Sequence, residues 1–302
     1  MLKKPTLKFA ALAAMTLSAY LPSTGVAGVE ASGKESNKIV EETTKSCITG
    51  DLGVNFVTKY FSRGIDLENQ GVIAQPYADL YFKVYDGGDS FVSSASVNLG
   101  IWSSIHSHHP GNLSTTAAWY EFDWTPGISV VFAKKLTATL SYLEFDSPND
   151  AFNIARSLNL NLAYDDSDLL GVFALHPHFT VLKELPGGGS PEGFAGLGPD
   201  GWYFEPGIAP SFSLVKEGTF PVTLTLPITA GFGGGDFYLG DGFGYFSAGA
   251  NVSVGLGFMP KCLGTWTANL GATYYYLHHN VAKANVGDHN DWVGQAGVGV
   301  AF

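Results

Sequence analysis

Seven charged side chains recur in segments of alternating polar and apolar residues, always in phase with the polar positions. Five are acidic and two are basic: Asp51, Lys59, Asp79, Lys83, Glu121, Asp123 and Glu205. Successive side chains of a β-strand point to opposite faces, so the shared phase predicts that all seven line one face. If that face encloses water, the excess of carboxylates predicts a weak preference for cations.

The eight histidines form a second candidate set, and the spacing of the alternating segments predicts that all of them lie near one end of the molecule. They are His106, His108, His109, His176, His178, His278, His279 and His289. Clustered neutral imidazoles bind Zn²⁺ or Cu²⁺, and Asp288 or Asp291 would complete such a site. The alternative is solvated loop histidines, which we favour because ligands on separate loops need not converge.

The two cysteines fall at the same predicted rim. Cys47 precedes the first alternating segment, and Cys262 lies in a short turn between the tenth and eleventh segments. We expect a disulfide that joins the lead-in segment to the wall, with two free thiols as the alternative.

No catalytic motif accompanies these residues. The chain contains no Gly-x-Ser-x-Gly, metalloprotease or phosphate-loop pattern, so we expect no enzymatic activity and no cofactor. The formal net charge of −11 argues against a nucleic-acid partner, because phosphate binding requires clustered Lys and Arg.

The elements that carry these side chains are predicted to be β-strands. Only 14% of residues are charged and 38 are Gly, and the apolar positions repeat with a period of two. The face opposite the apolar one is rich in Gly, Asn, Ser and Thr, which would fill a soluble core poorly but suits a barrel whose outer face meets lipid. Twelve strands are predicted, at 48–62, 72–85, 91–104, 117–133, 136–146, 153–164, 168–182, 201–214, 219–232, 243–258, 265–278 and 290–302.

The connections between these strands alternate in length. Those after odd-numbered strands are longer, which is typical of the external loops of outer-membrane barrels, whereas their periplasmic turns are short. We therefore predict an all-β fold, a transmembrane antiparallel up-and-down β-barrel of about 12 strands with both termini on the periplasmic side.

The N-terminal region is predicted to direct export. Residues 1–27 combine Lys3, Lys4 and Lys8 with an apolar stretch and small residues before Gly28, as a secretory signal peptide does. Residues 28–46 form a polar segment, either a flexible periplasmic lead-in or a plug in the lumen. The barrel then occupies residues 47–302. Phe302 ends an amphipathic last strand, which resembles the signal that recruits the barrel-assembly machinery of the bacterial outer membrane.

The first predicted hairpin carries a more specific resemblance. Residues 61–65 read Phe-Ser-Arg-Gly-Ile, and the second strand opens with Gln75-Pro76. This pattern resembles the TorF-type putative porin family, in which the first strand ends in an aromatic-x-Arg-Gly-Ile turn. The resemblance covers about 35 residues and implies a pore.

Together these patterns predict an outer-membrane porin for passive diffusion of small polar solutes, with weak cation preference and with outer-membrane lipid as its surroundings. The alternative is a non-conducting surface barrel whose His-rich outer loops serve adhesion, a receptor role or metal binding. A plug formed by residues 28–46 would favour this alternative.

Overall fold

The computed structural model describes residues 47–108, 118–185, 201–235, 237–240 and 242–302. The expected signal peptide and the 28–46 segment lie outside the described residues. The helices are α1 (Ser167–Leu170) and α2 (His279–Ala284), with single 3-10 turns at Gly171–Phe173 and Lys261–Leu263. The strands are β1 (Ile48–Val57), β2 (Tyr60–Ser62), β3 (Ile65–Glu68), β4 (Ile73–Asp86), β5 (Val92–His106), β6 (Trp119–Phe132), β7 (Leu136–Asp146), β8 (Ala155–Tyr164), β9 (His178–Glu184), β10 (Trp202–Ile208), β11 (Ser211–Val215), β12 (Val222–Thr225), β13 (Ile228–Gly234), β14 (Phe243–Gly255), β15 (Thr265–Leu277) and β16 (Asn290–Ala301).

Fourteen of these strands form one antiparallel sheet, and β2 and β3 form a separate hairpin. Pro210 follows β10 and Pro227 follows β12, and proline lacks the N–H that a strand ladder needs. As a result, β10 with β11 and β12 with β13 each act as one interrupted barrel strand. Pairing of β1 with β16, from Asp51 opposite Ala301 to Val57 opposite Gln295, closes the sheet. The predicted twelve-stranded antiparallel barrel is confirmed.

The two ends of the barrel differ in their connections. We call the end that carries residues 47 and 302 the terminus end, which also holds the turns 87–91, 133–135, 165–177, 216–221 and 256–264. The opposite loop end holds the connections 58–72, 147–154 and 278–289, together with the described residues 107, 108, 118, 185, 201, 235, 237–240 and 242. The halves of the lumen next to them are called the terminus half and the loop half.

The outward face of the wall is apolar and exposed, as Leu52, Ile128, Leu140 and Leu270 illustrate. Aromatic pairs border this belt, with ring centroids of Tyr274 and Trp292 5.3 Å apart near the loop end. At the terminus end, the rings of Phe91 and Phe132 are 5.6 Å apart and those of Phe220 and Phe258 are 6.1 Å apart. Monomeric soluble proteins rarely expose continuous apolar surface of this kind.

No helix among the described residues is long and apolar enough to cross a membrane.

Two predicted strand boundaries are wrong. The predicted first strand, 48–62, ends at Val57, after which the chain turns into the barrel and forms β2 and β3. The predicted seventh strand, 168–182, begins only at His178, because residues 167–173 fold into α1 and a 3-10 turn. Pro177 and the carboxylate of Asp166, which binds two backbone N–H groups, hold this connection out of the sheet.

Candidate functional site

The connection 58–72 folds inward and carries the hairpin β2–β3 into the loop half of the lumen; we call it the lumen hairpin. Tyr60, Phe61, Ile65 and Leu67 of this hairpin are buried. These side chains pack inside the barrel, although the sequence pattern predicts a wall strand that continues to residue 62.

The lumen hairpin contacts opposite sides of the wall. Tyr60 lies 5.4 Å from Trp102 on β5 and 6.2 Å from Tyr120 on β6, measured between ring centroids. Phe61 lies 4.7 Å from Tyr275 on β15. Because β5 and β15 are separated by several strands in the barrel order, the hairpin spans the lumen. Tyr60 and Trp102 both face inward and are buried.

A single buried cluster fills the rest of the loop half. It joins the hairpin to Phe145 of β7, Tyr203 of β10, Tyr245 of β14 and Leu277 of β15. These side chains come from strands distributed around the barrel, so the loop half has the packing of a protein core.

The tip of the hairpin is a tight turn at Arg63 and Gly64, with φ values of 44° and 87°. A Cβ on Gly64 would lie 3.0 Å from both Tyr245 Cδ1 and Val281 Cγ1, so both the backbone conformation and the packing favour glycine. The Arg63 guanidinium lies 5.4 Å from the ring centroid of Tyr203 and 5.9 Å from that of Phe145, in cation–π geometry.

Two buried carboxylates lie beside this tip. Glu121 and Asp123 share the inner face of β6, and both residues are 0% exposed. The Tyr60 hydroxyl donates a 2.8 Å hydrogen bond to Glu121 Oε2, and the charge of Arg63 acts on both carboxylates. Buried carboxyl groups require such partners, because an unpaired polar group in an apolar interior is strongly disfavoured.

Hydrogen bonds from the loop end hold the hairpin in place. Asn285, just after α2, accepts from the Asp66 N–H at 2.7 Å and donates through Nδ2 to the Gly64 carbonyl at 2.6 Å. The Tyr238 hydroxyl donates to the Arg63 carbonyl at 2.9 Å. At the hairpin base, Lys59 pairs with Asp291 on β16 at 2.6 Å.

Burial raises the pKa of Asp66, although a hydrogen bond from Asn69 and the charge of Lys59 act in the opposite direction.

Glu205 forms hydrogen bonds with the hydroxyls of Tyr203 and Tyr245, whose oxygens lie 2.7 Å apart. Unlike Glu121 and Asp123, Glu205 is partly exposed, so it lies where the packed half meets the open half.

The terminus half is lined by small polar side chains. Ser129 bonds to Thr139 at 2.7 Å, and Ser253 donates to Asn269 at 2.7 Å. Most of these residues are only partly buried, in contrast to those of the loop half. Inward glycines complete the lining: Gly249, Gly255, Gly271, Gly297 and Gly299.

The seven charged residues singled out from the sequence therefore lie at different depths rather than in one ring. Asp51 and Asp79 are directly opposite each other on β1 and β4 in the terminus half. Lys83 lies near the rim of the terminus end and pairs with Asp86 at 3.4 Å. The other four are Lys59, Glu121, Asp123 and Glu205, which belong to the packed half or its boundary.

The histidines do not gather at one end as expected. His176 and His178 lie at the terminus end, because β9 begins at His178, whereas His106 is buried in the loop half with its ring stacked on Tyr120 at 4.6 Å. His108 pairs with Glu68 at 3.2 Å, and His289 bonds to the Leu277 carbonyl at 2.9 Å.

His278 and His279 are neighbours on the loop end, with ring centroids 5.0 Å apart. His109 lies outside the described residues. Within the described ranges, no group of three or more His, Cys, Asp or Glu side chains is placed to hold a metal ion.

The expected disulfide is not formed. Cys47 and Cys262 are free, exposed thiols. The strand β16 lies between β1 and β15, the strands that follow the two cysteines. Two interstrand spacings amount to about 10 Å, which exceeds the roughly 7 Å that a disulfide bridges between Cα atoms.

No family model matches the chain, and no curated protein matches it. Membership of the TorF-type family is therefore not shown.

Several solved structures resemble the barrel. The COG4313 outer membrane channel from Pseudomonas putida F1 is 11% identical, with a TM-score of 0.48 over 89% of this chain and 100% of that chain. The β domain of the Bordetella autotransporter BrkA is 13% identical, with a TM-score of 0.42 over 84% and 98%. Outer membrane phospholipase A from Escherichia coli is 12% identical, with a TM-score of 0.38 over 83% and 92%. Similarity at this level assigns neither activity nor substrate.

Proposed function

We propose that this protein is an outer-membrane channel for small polar solutes, held closed by the lumen hairpin. The observation that carries this proposal is the contrast within one lumen. The terminus half is an open space lined by Ser, Thr, Asn and Gly, and the loop half is blocked by an inserted segment rather than by a narrowing of the wall.

The membrane location rests on the outer surface of the barrel. Exposed aliphatic residues form its outward face, and the outward-facing charges of the strands lie near strand ends, as for Glu144, Arg156 and Lys183. Lysine or arginine on the lipid face at mid-bilayer costs about 2–4 kcal/mol, so this distribution fits a lipid-exposed wall. A bacterial outer membrane is the compartment that houses such barrels, and assembly through Phe302 belongs to the same proposal.

The opposed pair Asp51 and Asp79 supports a cation preference for the open half. Two carboxylates facing one water-filled space attract cations and repel anions, and Lys83 near the rim is already paired with Asp86. The resemblance of residues 61–65 to the TorF-type porins supports a channel function. In this chain those residues include Arg63 and Gly64 at the tip of the lumen hairpin.

The decisive experiment compares conductance in planar bilayers before and after shortening the hairpin. Residues 60–68 are replaced by a short Gly-Ser linker, and the matched control replaces the exposed turn 216–219 in the same way. We expect little conductance from the wild type and the control, and a stable, cation-preferring conductance from the shortened variant. A folded shortened variant without conductance would contradict a channel function.

The docked hairpin also supports a second candidate, a non-conducting surface barrel that works through its loops. In that case the hairpin is a permanent part of the core. The same experiment separates the two candidates, because a permanently filled barrel should fail to fold or to retain its thermal stability when residues 60–68 are removed.

A further inference from the structure

The connection 165–177 at the terminus end carries exposed apolar side chains on an ordered backbone; we call it the apolar turn. Val172 is 71% exposed and Phe173 is 72% exposed, and Leu169 is similarly exposed. Their exposure does not arise from a strand facing lipid, because these residues belong to α1 and the following 3-10 turn. The apolar turn therefore offers a surface of its own.

Hydrogen bonds fix the shape of this turn. Asp166 accepts from the N–H groups of Leu175 and His176 at 3.0 and 2.9 Å, and its own carbonyl accepts from Leu169 and Leu170. Burial acts to raise the pKa of Asp166, but the N–H groups of His176 and Leu175 outweigh it and hold that pKa below its usual range. The carboxylate is thus charged and engaged with the backbone, and the apolar side chains are presented by a preorganised loop.

The barrel wall is short where the apolar turn lies. The strand β9 has seven residues, and its pairing with β10 ends at His178 opposite Gly207. Beyond Gly207, towards the terminus end, the chain continues as β11. Among the described residues, β11 pairs only with β12. The Ala209 N–H donates to the Leu175 carbonyl at 2.8 Å, so the apolar turn takes the place beside β10 and β11 that a longer β9 would occupy.

The apolar turn is also continuous with the outward apolar belt. A shallow groove on the barrel wall, lined by Leu136, Leu162, Tyr164, Pro177, His178 and Phe179, adjoins the end of the turn. Of the exposed acids of the turn, Asp168 pairs with Lys135 of the neighbouring turn, and Asp165 lies 3.9 Å from His176 Nδ1. The surface is therefore apolar with an acidic edge, which favours zwitterionic over anionic phospholipid.

We propose that the apolar turn inserts Leu169, Val172 and Phe173 into the boundary between headgroups and acyl chains of the leaflet at the terminus end, closing the short side of the wall against lipid. Insertion removes the apolar surface of these three side chains from water, and this burial anchors the turn. This inference rests on the proposed membrane location and is independent of conductance.

The test measures the depth of a spin label at residue 172 in proteoliposomes of zwitterionic phospholipid. The exposed native thiols are first removed by Cys47→Ser and Cys262→Ser, and Val172→Cys is then labelled. The matched control labels Glu217→Cys on the polar turn 216–221 at the same end. We expect the label at residue 172 to collide more with oxygen than with a water-soluble nickel complex, and the label at residue 217 to show the reverse.

Greater collision of the residue 172 label with the nickel complex would overturn the proposal. Protection of the residue 172 label from both reagents in native membranes, but not in proteoliposomes, would also overturn the proposal. That result would identify a protein, rather than lipid, as the occupant of this surface. Neither result depends on whether the barrel conducts.

Discussion

The two halves of this barrel share the same wall strands but use their inner faces differently. In the loop half, inward residues are large and buried, and they pack on the lumen hairpin around Arg63 and two carboxylates. In the terminus half, inward residues are small and polar, and they face open space. If the lumen hairpin and the side chains packed on it close the lumen, as we propose, substitutions of similar chemistry should have unequal effects in the two halves.

The largest expected effect follows the loss of a buried charge. Arg63→Ala removes the cation–π contacts with Tyr203 and Phe145 and the positive charge that acts on the buried Glu121 and Asp123, and cation–π contacts of a desolvated cation contribute about 2 kcal/mol or more each. Amide hydrogen exchange of the hairpin should report a loss of this size in its opening free energy.

The control for Arg63→Ala is Lys134→Ala, which removes an exposed ion pair with Asp89. Exposed pairs contribute about 0–1 kcal/mol, so this variant should resemble the wild type. Equal losses in the two variants would contradict the contrast between the halves.

A smaller effect is expected from the two hydrogen bonds by which Asn285 holds the lumen hairpin at the loop end; we call them the loop-end clamp. Asn285→Ala removes one acceptor and one donor that satisfy backbone groups of the hairpin, and the buried one of these groups, the Gly64 carbonyl, costs about 1–3 kcal/mol when left unpaired. Asn285→Asp keeps the acceptor for the Asp66 N–H but loses the donor to the Gly64 carbonyl. Because the new carboxylate oxygen would repel the buried Gly64 carbonyl, exchange at the hairpin amides should be at least as fast in Asn285→Asp as in Asn285→Ala; unchanged exchange in both variants would show that the clamp is unimportant.

A pair of glycines separates backbone strain from packing. Gly64 and Gly218 both have positive φ, but a Cβ contacts Tyr245 and Val281 only at Gly64, and meets nothing within 4 Å at Gly218. Both alanine variants should lose about 1 kcal/mol from backbone strain, and Gly64→Ala should lose about 1–3 kcal/mol more from overpacking. Urea unfolding in lipid vesicles measures the difference, and equal losses would show that the hairpin tip is loosely packed.

The smallest effect is expected in the terminus half. Ser253→Ala removes the hydrogen bond to Asn269, but both groups face solvent and can bond to water. The free energy of unfolding should change by no more than about 0.5 kcal/mol. A loss above 1 kcal/mol would mean that the terminus half is packed like the loop half.

The wall of this protein could be predicted from its sequence, whereas the closure of its lumen could not. Apolar residues at every second position indicate which face of each strand meets lipid. This pattern predicts the twelve strands and their phase. The predicted first strand extends to residue 62, but Tyr60, Phe61 and Ser62 leave the lipid-facing wall and are buried in the packed lumen. Local periodicity does not distinguish these two environments.

The signals that would have found the hairpin lie at its tip and in its partners. Arg63-Gly64 within an otherwise regular strand pattern indicates a tight turn, since glycine readily adopts positive φ. The contacts to Asn285 and Tyr238 involve residues more than 170 positions away along the chain, which no local pattern reveals. The sequence pattern does not predict the apolar turn either, because Leu, Val and Phe are also the residue types expected in a β-strand.

The most direct test of the closed lumen is modification of a thiol in the terminus half from each side of the membrane. Ser253→Cys, made with Cys47→Ser and Cys262→Ser, is exposed to a membrane-impermeant thiol reagent in proteoliposomes of defined orientation. We predict rapid modification when the reagent is added at the terminus end and none when it is added at the loop end. Modification at equal rates from both sides would show that the lumen hairpin does not close the barrel.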